Sequence, residues 1–263
     1  MDADLEEFRV RGAVLVGADR MVVWDTLARP EDMVGVGELA PHLPISVVYS
    51  HGDWDHVWGT GGLSRTPDEI IAHHDCLHRF LTELPDALEE KRKGTPVMFD
   101  GVRLMPPTRT FAALLTVELG GITLELHHLP GHTPDTIVGL VPEWGLFLPG
   151  DAVETPLPFL NPGTPIGSWA ESLEGWSHRL GRAGTEPVVV PSHGPIGGLE
   201  LLRENSCYLR DLRAGRTPPI PETLTPFYAE THTTNQTVAR QQSSPPTASE
   251  SGSGGRPGPE GPD

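Results

Sequence analysis

The sequence predicts an α+β domain in which two sheets pack together with helices outside them. Runs that read as β-hairpins alternate with runs that read as amphipathic helices, and this cycle occurs twice, a pattern of layers around a shared core. The 263 residues, 37% hydrophobic and 21% charged, suffice for one domain with an ample interior. Composition shifts only near Gln241, after which Ser, Pro, Gly and Glu dominate. Residues 1–240 therefore read as the domain and 241–263 as a disordered tail, whose few apolar side chains cannot offset its ordering entropy.

The elements follow in order. Gly12–Gly17 and Met21–Trp24 flank the turn Gly17-Ala18-Asp19 as a hairpin. Ile45–Ser50 is a continuous apolar run of strand length, and Glu69–Ala72 a shorter one. From His74 to Lys91, Leu77, Phe80, Leu81, Leu84 and Leu88 recur at helical spacing. Asp100-Gly101 separates Val97–Phe99 from Val102–Leu104, which predicts a second hairpin. Gly120-Gly121 joins Leu114–Leu119 to Ile122–Leu129 as a third. Thr136–Val141 and Gly145–Leu148 read as strands turned by Pro142-Glu143-Trp144. A helix opens at Ser168 with capping-box spacing to Glu171 and a stripe of Trp169, Leu173, Trp176 and Leu180. Val188–Val190 reads as a buried strand, Leu199–Leu212 and Thr225–Arg240 as closing helices.

Charge and cysteine content narrow the function. A net charge of −17 opposes binding to a phosphate backbone and suits a small-molecule substrate. Two cysteines, Cys76 and Cys207, are too few for a disulfide framework. The start Met1-Asp2-Ala3-Asp4 is acidic and no apolar run follows it, so a secretory leader is not expected. No stretch has the length and apolarity of a bilayer span. The expected compartment is the cytoplasm; nothing indicates oligomeric state.

The stretch richest in chemistry is His51-Gly52-Asp53-Trp54-Asp55-His56, at the end of the predicted strand 45–50. Two imidazoles and two carboxylates within six residues, in a loop held by a sheet, are metal-ligand chemistry in the place where catalytic groups tend to sit. Three single candidates follow: His132 in Gly131-His132-Thr133, Asp151 in Gly150-Asp151 and His193 in Ser192-His193-Gly194. Each lies in a Pro/Gly loop at the exit of an apolar run, so all can converge on one edge of the sheets.

These motifs, with Trp24-Asp25-Thr26 at the end of the first hairpin, resemble the metallo-β-lactamase superfamily over roughly residues 8–215. The resemblance implies a four-layer αββα sandwich with a two-metal site at one edge. By position, His51, Asp53 and His132 would hold one metal, Asp55, His56 and His193 the other, and Asp151 would bridge them. It implies two zinc ions per chain and hydrolysis by metal-activated water, with Asp55 and Asp151 catalytic.

Asp53 departs from the pattern, which has a histidine there. Five histidines and two aspartates around two divalent cations and a hydroxide leave about one positive charge, and a third aspartate brings the cluster to about neutral. A carboxylate also makes the first site harder, which admits manganese or iron there. On these grounds Asp53→His is expected to raise activity toward anionic substrates or tighten the first metal. The leading expectation is a hydrolase of a small-molecule ester, thioester or lactone. The alternatives are a mono-iron oxidoreductase resembling persulfide dioxygenases and a non-enzymatic protein of this fold. Pro156–Asn161 leaves the active edge directly and is a candidate substrate wall. His74 and His78 read as a solvated helix flank, and His232 as an exposed helix residue or a part of the pocket rim.

Overall fold

The computed structural model describes residues 1–5 and 7–243, and the expected tail falls largely outside the described residues. A short ribbon, β1 (Asp2–Asp4) and β2 (Arg9–Arg11), opens the chain. The first sheet is built from β3 (Ala13–Val16), β4 (Met21–Trp24), β5 (Ile45–Val48), β6 (Glu69–His73) and β7 (Arg109–Phe111) in that order. Its first pair is antiparallel and the others parallel. The second sheet runs β12 (Val188–Pro191), β11 (Leu146–Gly150), β10 (Ile137–Val141), β9 (Thr123–His128), β8 (Leu114–Glu118), antiparallel except for the β11–β12 pair.

Strand alternation sorts the apolar side chains into three layers of core. Val22 and Trp24 of β4 and Val48 of β5 meet Leu124, Leu126, Ile137 and Val141 between the sheets. Met21, Val23, Ile45 and Val47 face the other way, onto the short helix α1 (Trp54–Val57), α2 (His74–Thr82), α3 (Leu84–Gly94) and the turn α4 (Pro96–Phe99). Val138 and Leu140 face α5 (Ile166–Gly181), α6 (Leu199–Arg213) and α7 (Pro226–Ser243). The order helix, sheet, sheet, helix is the αββα sandwich. Gly139 marks how closely the sheets approach: a Cβ there would stand 2.8 Å from the Trp24 ring.

Several elements differ from expectation, each for a local reason. The helix expected over 74–91 breaks between Thr82 and Leu84, because Pro85 has no N–H to continue the ladder and restrains the residue before it. The hairpin expected over 97–104 does not form. Pro96 starts a helical turn instead, and Phe99 packs edge-on against Trp54 and Trp58. The carbonyls of Phe99 and Val102 are taken by the Arg92 guanidinium at 3.1 and 2.7 Å rather than by a partner strand. One edge of the first sheet is β7, whose three residues include only one apolar side chain. Helix α5 opens at Ile166 after Pro165, two residues before Ser168, with Trp169, Leu173 and Leu180 buried. Helix α7 continues past the expected boundary to Ser243. No helix of the described residues is long and apolar enough to cross a membrane.

Candidate metal centre

Four strands of the two sheets, β5, β9, β11 and β12, end at the same edge, and each is followed by a loop that carries candidate ligands. The sheets are tied together there, since the Ile137 N–H donates to the Ser50 carbonyl at 2.8 Å. Asp53 ends the first loop, and α1 then carries Asp55 and His56 on a single helical turn. All seven residues singled out in the sequence meet in one place. Asp53 Oδ2 lies 3.1 Å from His132 Nε2 and 3.5 Å from His51 Nε2. Asp55 Oδ2 lies 3.4 Å from His193 Nε2 and 3.7 Å from His56 Nε2. Asp151 Oδ2 sits between these groups, 3.3 Å from His193, 3.4 Å from His56, 3.7 Å from His51 and 3.8 Å from His132. Each triad has the spacing of ligands around one ion, and Asp151 faces both.

The histidines are held by their other nitrogen. His132 Nδ1–H donates to the Phe159 carbonyl at 3.1 Å and His193 Nδ1–H to the Arg9 carbonyl at 2.9 Å. His56 Nδ1 lies 2.9 Å from Asp25 Oδ2 and His51 Nδ1 3.0 Å from Ser50 Oγ, which itself donates to Asp25 at 2.8 Å. Carbonyl and carboxylate oxygens only accept, and the Ser50 hydroxyl already donates to Asp25, so each Nδ1 carries a proton and Nε2 is the nitrogen turned to the centre. This is the support that metal-ligating histidines require.

The donor set fits divalent cations on two further grounds. His51 Nε2, His56 Nε2 and Asp151 Oδ1 are buried without a hydrogen-bond partner among the described residues. Leaving such atoms unsatisfied costs about 1–3 kcal/mol each, a cost that coordination removes. Charge gives the second ground. Burial alone would push the imidazoles toward neutrality, yet the surrounding carboxylates outweigh it and raise His132 to about 9 and His56 and His193 well above their usual range. Burial likewise opposes the charge on Asp53 and Asp151, but the histidines hold both well below the ordinary carboxylate range. The cluster demands positive charge and, without a metal, takes it up as protons.

Residues that the motifs did not single out complete the site. Arg79 on α2 donates to Asp53 Oδ1 at 2.6 Å and to Asp135 Oδ1 at 3.0 Å. Asp135 also accepts the Gly52 N–H at 2.7 Å. Asp25, noticed only as part of a strand-end pair, supports His56. The ribbon β1–β2, too short and too charged to read as strands, supplies the carbonyl that orients His193. Buried Glu154 accepts from Tyr228 Oη at 3.0 Å. Its carboxyl is pushed up to about 7, chiefly by burial.

The centre forms the floor of a cleft of about 390 Å³ whose walls include Phe8, Trp54, Met98, Phe99, Phe159 and Phe227. Lys91 stands over the Trp54 ring at 4.0 Å, at the edge of this wall. The loop 156–161 does reach the site: besides Phe159, its Asn161 side chain donates to the His132 carbonyl at 3.0 Å. The remaining histidines stay away from the centre. His74 and His78 are exposed, His73 stacks on His128 at 3.7 Å between ring centres, and His232 bonds Tyr208 and Gln236.

Two triads of candidate ligands with Asp151 between them, at the edge of an αββα sandwich, point to one class of protein. The chain belongs to the metallo-beta-lactamase superfamily, whose profile matches residues 12–193. A metallo-beta-lactamase type 2 of Bacteroides fragilis is 30% identical over 118 residues, 43% of this chain and 42% of that protein. An Aspergillus versicolor protein provisionally named a transcription factor is 27% identical over 207 residues, 70% of this chain and 58% of that one. The chain thus spans only 42% to 58% of the length of these curated relatives. Among solved structures, a metallo-beta-lactamase from Pontibacter korlensis superposes with a TM-score of 0.60 at 20% identity, covering 80% of this chain and 93% of the other. The mono-zinc form of the FIM-1 metallo-beta-lactamase from Pseudomonas aeruginosa gives 0.57 at 18% identity, covering 80% and 88%. At these identities the structural likeness speaks for the fold.

Proposed function

We propose that this protein is a metal-dependent hydrolase of a small-molecule acyl bond, an ester, thioester or lactone with an apolar acyl group. The observation that carries the reading is the convergence of four Nε2 atoms and three carboxylates on the floor of an aromatic cleft. His51, Asp53 and His132 would hold one cation, Asp55, His56 and His193 the second, and Asp151 both. Bound divalent cations there supply Lewis acidity and lower the pKa of water. Each set offers two imidazole nitrogens and two carboxylate oxygens, ordinary zinc ligands, and a zinc form is known for the FIM-1 neighbour. The chain's own groups do the rest. Phe8, Trp54, Phe159 and Phe227 exclude water and receive the apolar part of the substrate. Lys91 offers a charge to a carboxylate near the cleft mouth.

A small-molecule substrate also agrees with the net charge of −17, which opposes nucleic acid. Two free cysteines, one buried and one exposed, support a reducing cytoplasm. The test is a series of p-nitrophenyl esters from acetyl to octanoyl, assayed on zinc-loaded protein. Hydrolysis that rises with chain length is expected. No hydrolysis of any ester, thioester or lactone by the loaded protein would contradict the reading.

A further inference from the structure

Asp53 is where the sequence departs from the motif pattern it otherwise resembles, and the structure shows what accompanies it. Its two oxygens have separate partners. Oδ2 faces His132 and His51, while Oδ1 receives the Arg79 guanidinium at 2.6 Å. Arg79 is largely buried, 16% exposed, and its second terminal nitrogen reaches fully buried Asp135 at 3.0 Å. Asp135 closes the ring by accepting the N–H of Gly52, the residue before Asp53. It lies three residues after His132, so this one network ties together the two loops that would hold the first cation. Gly52 is small where this matters: a Cβ there would stand 3.2 Å from Asp135 Oδ2 and 3.3 Å from Arg79 Nη1.

We propose that Arg79 is a positioning residue for the first cation: it occupies Oδ1 of Asp53, leaves Oδ2 as a single-oxygen ligand, and offsets the charge that aspartate adds in place of histidine. The inference rests on the metal-centre reading above. Its physical content is threefold. A carboxylate free to bind through both oxygens suits larger, higher-coordinate ions, whereas one oxygen suits four-coordinate zinc. Arginine's planar fork can hold Asp53 and Asp135 at once, which a lysine ammonium does less well. And the guanidinium, shared with Asp135 and Glu83, draws charge from Oδ1, the oxygen turned away from the histidines, and so offsets part of what Asp53 adds.

The test is a double-mutant cycle on zinc binding, read by competition with a chromophoric chelator and by the visible spectrum of the cobalt form. Arg79→Ala should weaken one of the two cations by about 10–100-fold, the usual effect of losing a supporting partner, and leave the other unchanged. Arg79→Lys should fall between this variant and the wild type. In the Asp53→His background Arg79 keeps Asp135 and Glu83 but has lost the carboxylate it positions, so Arg79→Ala should change zinc binding by less than about twofold. An equal loss in both backgrounds would mean a merely structural role and overturn the proposal. So would unaltered binding of both cations by the single variant. If Arg79→Ala does not fold by circular dichroism, Arg79→Lys carries the same comparison. A wild-type chain that binds no metal would overturn the metal-centre reading and this inference together, whereas the other two outcomes overturn only the inference.

Discussion

Asp25 Oδ2 lies 2.9 Å from His56 Nδ1, with both side chains fully buried. The same carboxylate accepts the Ser50 N–H at 2.7 Å and the Ser50 hydroxyl at 2.8 Å, so it also governs the residue that supports His51. Its backbone sits at φ 56°, a left-handed conformation that Asp and Asn tolerate better than most residues. Asp25→Asn therefore keeps the backbone and much of the hydrogen bonding but removes the charge behind His56. We expect zinc binding at the His56 position to weaken by about 10–100-fold with the fold retained. A zinc titration paired with a thermal melt checks this; an unchanged affinity would separate Asp25 from the metal centre.

Metal loading should release protons. His132 is raised to about 9, against burial, by Asp53 and Asp151, and the carboxylates around His56 and His193 raise both well above the usual imidazole range. At pH 7 the metal-free centre is thus protonated, and ligands must lose those protons to coordinate. Zinc affinity should rise with pH through about 9, where His132 gives up its proton, and calorimetry in buffers of different ionisation enthalpy should report the released protons. The linkage has a second consequence for the metal-free chain. A histidine whose folded pKa exceeds its unfolded value stabilises the fold fully below about 6.5 and loses that contribution as pH rises through about 9. The metal-free protein should therefore melt at lower temperature at pH 9 than at pH 6. An equal or higher melting temperature at pH 9 would contradict the assignment.

The aromatic wall should set chain-length preference. Phe227 packs on Phe8 at 5.1 Å between ring centres, and both line the cleft. Phe227→Ala is expected to lower kcat/KM for an octanoyl ester by about tenfold, the order of one lost apolar contact surface. The acetyl ester, too short to reach that wall, should be affected by less than about twofold. Equal losses for both esters would place Phe227 outside the substrate's path.

Much of this centre was legible because its ligands cluster in motifs and each motif follows an apolar strand. The place of Asp151 between the two triads is what the resemblance to the superfamily implies. What could not be read depends on contacts between distant segments. Arg79 lies in an ordinary amphipathic helix pattern, and only folding brings it 2.6 Å from Asp53. The β1–β2 ribbon buries one side chain per strand, Ala3 and Val10, too little to give a period. The apolar triplet Val97–Phe99 looked like a strand because its partner, the Arg92 guanidinium, is a side chain rather than a second strand. The expectation that Asp53→His alone improves the site also changes, since that substitution would leave one arm of Arg79 without its acceptor.

A two-metal centre requires that Asp151 hold both cations at once. The direct measurement is zinc content per chain for the wild type and Asp151→Ala, purified without chelator and checked for folding. Two equivalents are expected in the wild type, with Asp151→Ala losing metal and all acyl hydrolysis. A wild type without zinc or another divalent metal, or an Asp151→Ala chain that keeps two equivalents and full activity, would contradict it.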